Sequence, residues 1–207
     1  AEKETKKDVS ESLKKHLASQ NIKYTTIVVD SYFGFDQVND QINPGDKCVI
    51  IPTSGSKALL AKLAPILKTI KQDRIDVDLV LFGHPEYTTY LMEHQADLHK
   101  INTYIYSRFY YDSNDVATKA IEEEYKKWYG EEMRYNVPRL GLFGYDTGMF
   151  FIKALCNNHQ QFNDRIIDTH IGAQTTFKME RLSNWSGFTN KDLQFIHFTP
   201  QQTIEKL

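Results

Sequence analysis

The sequence is short of most features that would assign it a chemistry at once. It has only two cysteines, Cys48 and Cys156, far apart and each on an apolar segment. Buried unpaired thiols are the ordinary reading of such a pair, with a disulfide or a reactive thiol as the alternatives. No apolar run approaches the roughly 18 residues of a membrane span, which excludes a helical crossing. The formal charge of -2 and pI near 6.4 give no basic footprint, so nucleic acid and anionic membrane surfaces are not expected partners. No signal peptide is visible, and the chain begins at Ala1 without an initiator methionine, so its start reads as a processing or expression boundary. Internal repeats and low-complexity segments are lacking.

Motif absences narrow the field further. Ser54-Gly-Ser-Lys57 has the S-x-x-K spacing of serine acyl-transferases, but the companion S-D-N and K-T-G elements do not occur. The same loop fails the G-x-x-x-x-G-K spacing of a phosphate-binding loop. His84-Pro-Glu86 has the H-x-E half of a zinc deaminase without a following P-C-x-x-C, and His84, His94 and His99 fit no zinc spacing. A G-x-S-x-G elbow is missing too. Catalysis, a metal and a cofactor are therefore not expected.

What is present is a core and an alternation. Hydrophobic residues make up 41% of the 207 residues, with 12 Tyr and 12 Phe, enough for one large domain or two small lobes. Val9, Leu13 and Leu17 recur at helical spacing, so Glu2–Gln20 reads as a helix stopped by Asn21. Tyr24–Asp30 is β-branched and reads as a strand. After the turn Asn43-Pro-Gly-Asp46, Lys47–Ile51 is an apolar strand of the parallel kind, and a helix follows to about Lys71. Val77–Phe82 and Asn102–Tyr106 are further strands, with a short helix from Tyr87 to Met92. Ser113-Asn114-Asp115 caps an amphipathic helix, Val116–Tyr129, whose apolar stripe is Ala117, Ala120, Ile121, Tyr125 and Trp128 or Tyr129, and Gly130 stops it.

From Pro138 to Leu155 a glycine-bearing approach (Gly141, Gly144) runs into Tyr145-Asp146 and an apolar helix, with Asp146 expected as its N-cap. Thr175–Arg181 and Leu193–Phe198 alternate like two strands of a hairpin. The predicted fold class is therefore α/β, three-layered, with a mostly parallel sheet, flanking helices and a C-terminal β-hairpin. Tyr106, Phe109, Tyr110 and Tyr111 form an aromatic cluster, suited to ring stacking or, more commonly, to packing. Glu122–Glu124 reads as a solvated helix face, and Asn184-Trp-Ser186 as turn chemistry or a glycosylation acceptor.

Open α/β sheets take ligands at the carboxyl ends of their strands, beside helix N-termini. Two loops hold that position here. Thr53, Ser54, Gly55 and Ser56 follow the first parallel strand, and Gly83, Pro85, Glu86 and Tyr87 follow the second. These eight residues are the candidate ligand-binding set.

The order of parts resembles the second half of a type I periplasmic-binding-protein domain, of the leucine/isoleucine/valine-binding-protein type. That family carries an F-x-x-x-Y-x-x-x-Y/F-G helix, a G-Y-D-A helix and a late G-F-x-N turn. The matching residues are Ile121, Tyr125, Tyr129 and Gly130, then Gly144-Tyr145-Asp146-Thr147, then Gly187-Phe188-Thr189-Asn190. Val49–Ser54 (V-I-I-P-T-S) and Leu81–Tyr87 (L-F-G-H-P-E-Y) look most like the branch fused to LysM peptidoglycan-binding repeats.

The resemblance implies a non-catalytic module of the bacterial cell envelope or periplasm, similar to the substrate-binding proteins of ABC transporters. Such a module closes an interlobe cleft on a small polar, amino-acid- or peptide-like ligand. It implies that residues 1–112 and 175–207 form a second-lobe-like unit, and that 113–174 belong to the first lobe of an intact domain. The chain then starts inside the second lobe, and helices 115–129 and 146–156 need another partner, such as a second copy in a homodimer. Family members that bind amino acids place an aromatic residue where Ser54 stands, whereas Glu86 falls where an acidic residue pairs with an α-ammonium group. The resemblance also allows a ligand-less structural role, with peptidoglycan reached through LysM domains outside this chain. On this reading Asp146 is a helix cap before it is a ligand contact.

Overall fold

The computed structural model describes residues 2–30, 32–159, 166 and 169–207. It divides into two compact units, residues 1–105 with 197–205 and residues 106–196 with 206–207.

In the first unit, α1 (Glu2–Ser19) forms as its spacing predicts. The expected strand Tyr24–Asp30 does not form: these residues join no ladder, and Val28 and Val29 are exposed. Its β-branched run lacks a neighbour to pair with, and strand propensity without a partner is weak. After a short α2 (Phe35–Asn39) come β1 (Lys47–Ile50), α3 (Lys57–Asp73) and β2 (Asp78–Gly83). A 3-10 helix (Pro85–Tyr90), α4 (Leu91–Ile101) and β3 (Thr103–Ser107) complete the run.

β1, β2 and β3 are parallel neighbours, with Lys47 opposite Asp78 and Leu81 opposite Thr103. Parallel neighbours need a crossover, and α3 and the 3-10 helix with α4 supply it. The core lies between sheet and helices. Leu60, Leu63, Ala64, Leu67 and Ile70 recur on one face of α3 and are buried, as are Leu79, Leu81, Leu98, Ile101 and Ile105. Each such apolar side chain contributes about 1.5–3 kcal/mol by leaving water.

The sheet continues through β7 (Gln194–Phe198) and β8 (Ile204–Lys206), in the order β1-β2-β3-β7-β8. The C-terminal hairpin is thus β7 and β8, closed by the turn in which Thr199 N–H donates to Thr203 O at 2.9 Å. The strand expected to pair with β7, now β5 (Thr176–Arg181), lies instead between β4 (Thr169–Ile171) and β6 (Phe188–Asn190) in an antiparallel three-stranded sheet. Alternation identifies a strand and its inward face but leaves its partner open.

Histidines clasp β7 to α4. His99, buried, meets Thr199 O at 2.9 Å through Nδ1; His197 Nε2 lies 2.6 Å from Asn102 Oδ1. The His197 ring stacks on Tyr104 with centroids 4.0 Å apart. Burial lowers the His197 pKa from its ordinary 6.5; Glu205 raises it, while His99 and Lys71 lower it further. A histidine held neutral by the fold stabilises it fully above about pH 6.5, and that contribution is lost as pH falls toward the depressed folded value. Urea midpoints measured from neutral to mildly acid pH should therefore fall, and fall less in His197→Phe, which keeps a ring over Tyr104. An identical pH slope in the variant would remove His197 from the account.

The second unit carries α5 (Val116–Tyr129) and α6 (Leu140–Asn158) beside the three-stranded sheet. α5 has the expected ends: Asp115 Oδ2 accepts from Thr118 N–H at 2.7 Å, and Gly130 takes the left-handed φ of 73°. Its expected stripe is covered only in part, with Ile121 and Tyr125 half-buried. Ala117, Ala120, Trp128 and Tyr129 are exposed, and only Thr118 is fully buried. Glu122 is not solvated as expected, since it pairs with Arg139 at 2.6 Å and accepts from the Tyr111 hydroxyl.

α6 starts six residues earlier than expected, so Asp146 is inside the helix rather than its N-cap. The carboxylate is wholly buried and accepts from Ala173, Gln174 and Thr175 N–H at 2.7, 2.9 and 2.9 Å. One stripe of α6, Leu142, Asp146, Phe150 and Ala154, is buried, with Phe150 stacked on Phe177 at 4.8 Å beside Ile166. The opposite stripe, with Gly144, Gly148, Ile152 and Leu155, is open. Both thiols are unpaired, but Cys156 is exposed on that helix rather than buried.

Candidate functional site

The adjacent carboxyl ends of β1 and β2 bring the two candidate loops together in the first unit. Pro52 ends β1, and its carbonyl is met by His84 Nε2 at 2.7 Å, which ties the two loops directly. Gly55 lies against the second loop so closely that a Cβ there would overlap the Glu86 carboxylate and stand 2.9 Å from His84 Cβ. A side chain at position 55 would push Glu86 aside.

The hydroxyls are committed locally. Ser56 Oγ caps α3 by accepting from Leu59 N–H at 3.3 Å, and Ser54 Oγ accepts from Ser56 N–H at 3.3 Å. Lys57, the lysine of the S-x-x-K spacing, is paired with Glu93 at 2.6 Å. Its amine is thus engaged by Glu93, not by Ser54. Thr53 is exposed and Pro85 opens the 3-10 helix at a position where its missing N–H costs nothing. Glu86 is exposed at the loop surface, with His84 Nδ1 4.0 Å from Oε2.

Tyr87 departs from its expected place. It is fully buried beneath Gly83, where a Cβ would come within 2.6 Å of its ring, so it supports the loops from below and does not line their surface. Its hydroxyl has no hydrogen-bond partner, and burial, with Glu86 and Tyr90 adding, pushes its pKa up to about 12. The exposed set is then Thr53, Ser56, Glu86 and, in part, Ser54, Gly55 and Pro85.

The aromatic cluster after β3 divides among packing roles in the second unit. Tyr111 lies under the Arg139 guanidinium at 3.9 Å, and Phe109 meets Phe143 edge to face at 5.6 Å. No group of three or more metal-ligating side chains occurs among the described residues, and none of their helices is long and apolar enough to cross a membrane.

Parallel strands crossed over by helices, with a small antiparallel sheet after them, make a mixed α/β fold with a mostly parallel main sheet and flanking helices. No family model matches the sequence, and no curated protein does. Among solved structures, the chain is similar to one from Rhodospirillum rubrum described as a branched-chain amino acid ABC transporter. The TM-score is 0.53 at 16% identity, over 87% of this chain and 50% of that one. An ABC transporter substrate-binding protein from Desulfitobacterium hafniense, in complex with Leu, matches at TM-score 0.46 and 14% identity, over 96% of this chain and 55% of that one. The chain thus spans about half the length of these structures, and its likeness to the first is one of fold.

Proposed function

We propose that the chain is a non-catalytic binding module that takes a small polar ligand with a free amine, amino-acid- or peptide-like, at the loops 53–56 and 83–86. The observation that carries this is the Glu86 carboxylate, held exposed at the loop surface over a glycine that leaves room for it. The fold likeness to proteins named for amino acid transport supports the ligand class. An extracytoplasmic place in the cell envelope goes with that reading.

Calorimetric titration with single amino acids and short peptides tests it. Glu86→Gln should weaken binding of the amine by about tenfold or more, the scale of a lost charge-assisted hydrogen bond. Unchanged affinity in the variant would overturn the assignment.

A second reading is a ligand-less structural domain, in an envelope protein that reaches peptidoglycan through LysM domains. It is favoured by the loop hydroxyls of Ser54 and Ser56 being engaged within the loop and helix cap. Under that reading the open stripe of α6 serves association, including pairing of two copies through residues 115–129 and 146–156. Absence of heat with every ligand, together with a dimer in solution, is its expected signature.

A further inference from the structure

The second unit contains an open cavity of about 460 Å³. It lies between the start of α5, one face of α6 and the segment 170–173. Its volume is in the range of small-molecule sites.

The chemistry of its lining is graded from one end to the other. Asp112, Asp115, Tyr110 and Tyr145 gather where Asp146 holds the Ala173 N–H and Thr118 Oγ1 reaches Ala173 O. Lys153 and His170 belong to the other end. Lys153 is two turns further along α6 than Asp146, about 10 Å at the helical rise. His170 stands at the level of Phe150, with ring centroids 6.3 Å apart. Met149, on α6 between the two levels, supplies an apolar wall.

Asp112 Oδ1 accepts from Asn114 N–H, which leaves its other oxygen open, whereas Asp115 caps α5, with Thr118 N–H on Oδ2 and the Thr118 hydroxyl and Ala117 N–H also against its carboxylate. Lys153 makes no ion pair among the described residues, although it is near enough to His170 to lower that ring's pKa together with the larger effect of burial. His170 is thereby kept neutral at pH 7, a hydrogen-bonding group beside the Lys153 charge, and Lys206 brings a second cation to the lining.

From this juxtaposition we infer that the cavity is a second ligand site, for an extended zwitterion. The ligand's ammonium group sits toward Asp112 and Asp115, its carboxylate sits on Lys153, and a small apolar middle lies along Met149. A single α-amino acid, with its two charges on adjacent atoms, cannot reach both ends. A short unblocked peptide of small residues can.

Trialanine is the probe, titrated calorimetrically into the full chain. It should bind saturably, with the N-acetylated, C-amidated form and free alanine each weaker by about tenfold or more at this site. Lys153→Gln should reduce trialanine affinity by a similar factor. Position 153 is on the exposed side of α6, and an unchanged thermal melt confirms that the fold survives. Free alanine is the probe of the first unit's loops, and Lys153→Gln should leave its binding unchanged, which separates the two sites. Equal binding of the blocked peptide, or no effect of Lys153→Gln, would overturn the inference. Loss of all trialanine binding in Glu86→Gln would also overturn it, and would place the peptide at the loops.

Discussion

Asp146→Ala is expected to destabilise the second unit by about 3–5 kcal/mol. Two buried N–H donors and one half-buried would lose their acceptor at about 1–3 kcal/mol apiece, with entering water recovering part of the sum. The donors are Ala173, Gln174 and Thr175, consecutive residues that lead into β5. Gly172 before them has no room for a Cβ, which would meet the Asp146 carboxylate and stand 2.6 Å from Thr175 O. Asp146 therefore fastens the loop that joins β4 to β5 onto the middle of α6. Urea denaturation followed by circular dichroism should show the unit's transition moving to markedly lower denaturant. Asp146→Asn keeps one acceptor oxygen and should lose about half as much. A loss below about 1 kcal/mol for the alanine variant would mean that water replaces the carboxylate without penalty.

Gly83→Ala should cost about 1–3 kcal/mol, the usual range for overpacking a filled site. The added methyl would stand 2.6 Å from two ring carbons of Tyr87, whose side chain is enclosed and cannot swing out. The penalty should shrink in a Tyr87→Leu background, because contacting residues do not contribute additively. Tyr87→Phe removes a hydroxyl that has no partner and should be neutral or slightly stabilising. Denaturant midpoints of the four variants close this cycle. Equal penalties for Gly83→Ala with and without Tyr87 would show that the ring is not what fills the space.

How far the sequence could be read depended on the range of the interaction behind each signal. α5 was legible to the residue because its cap and stop, Asp115 and Gly130, are local chemistry. The start of α6 was misplaced for the same reason. An Asp ahead of an apolar run has the signature of a cap, yet the N–H groups it serves are 27 to 29 residues away. Convergence of the loops 53–56 and 83–87 followed from strand order alone, since adjacent parallel strands must bring their carboxyl ends together. The inward turn of Tyr87 did not follow, because the 3-10 geometry of the Pro85–Tyr90 segment decides which way it points. Asp112, Lys153 and His170 are dispersed along the chain and carry no motif, so only folding brings them to one cavity.

The open stripe of α6 has a thermodynamic consequence. A helix that is apolar on nearly all sides belongs in a core, and here Ile152 and Leu155 stay in water on the side where Gly144 and Gly148 leave clear space. Anything that binds that stripe binds the folded unit alone, and so raises its stability by mass action. The melting temperature of this unit is then a titration variable, set by the concentration of whatever covers the helix as much as by the contacts within the chain.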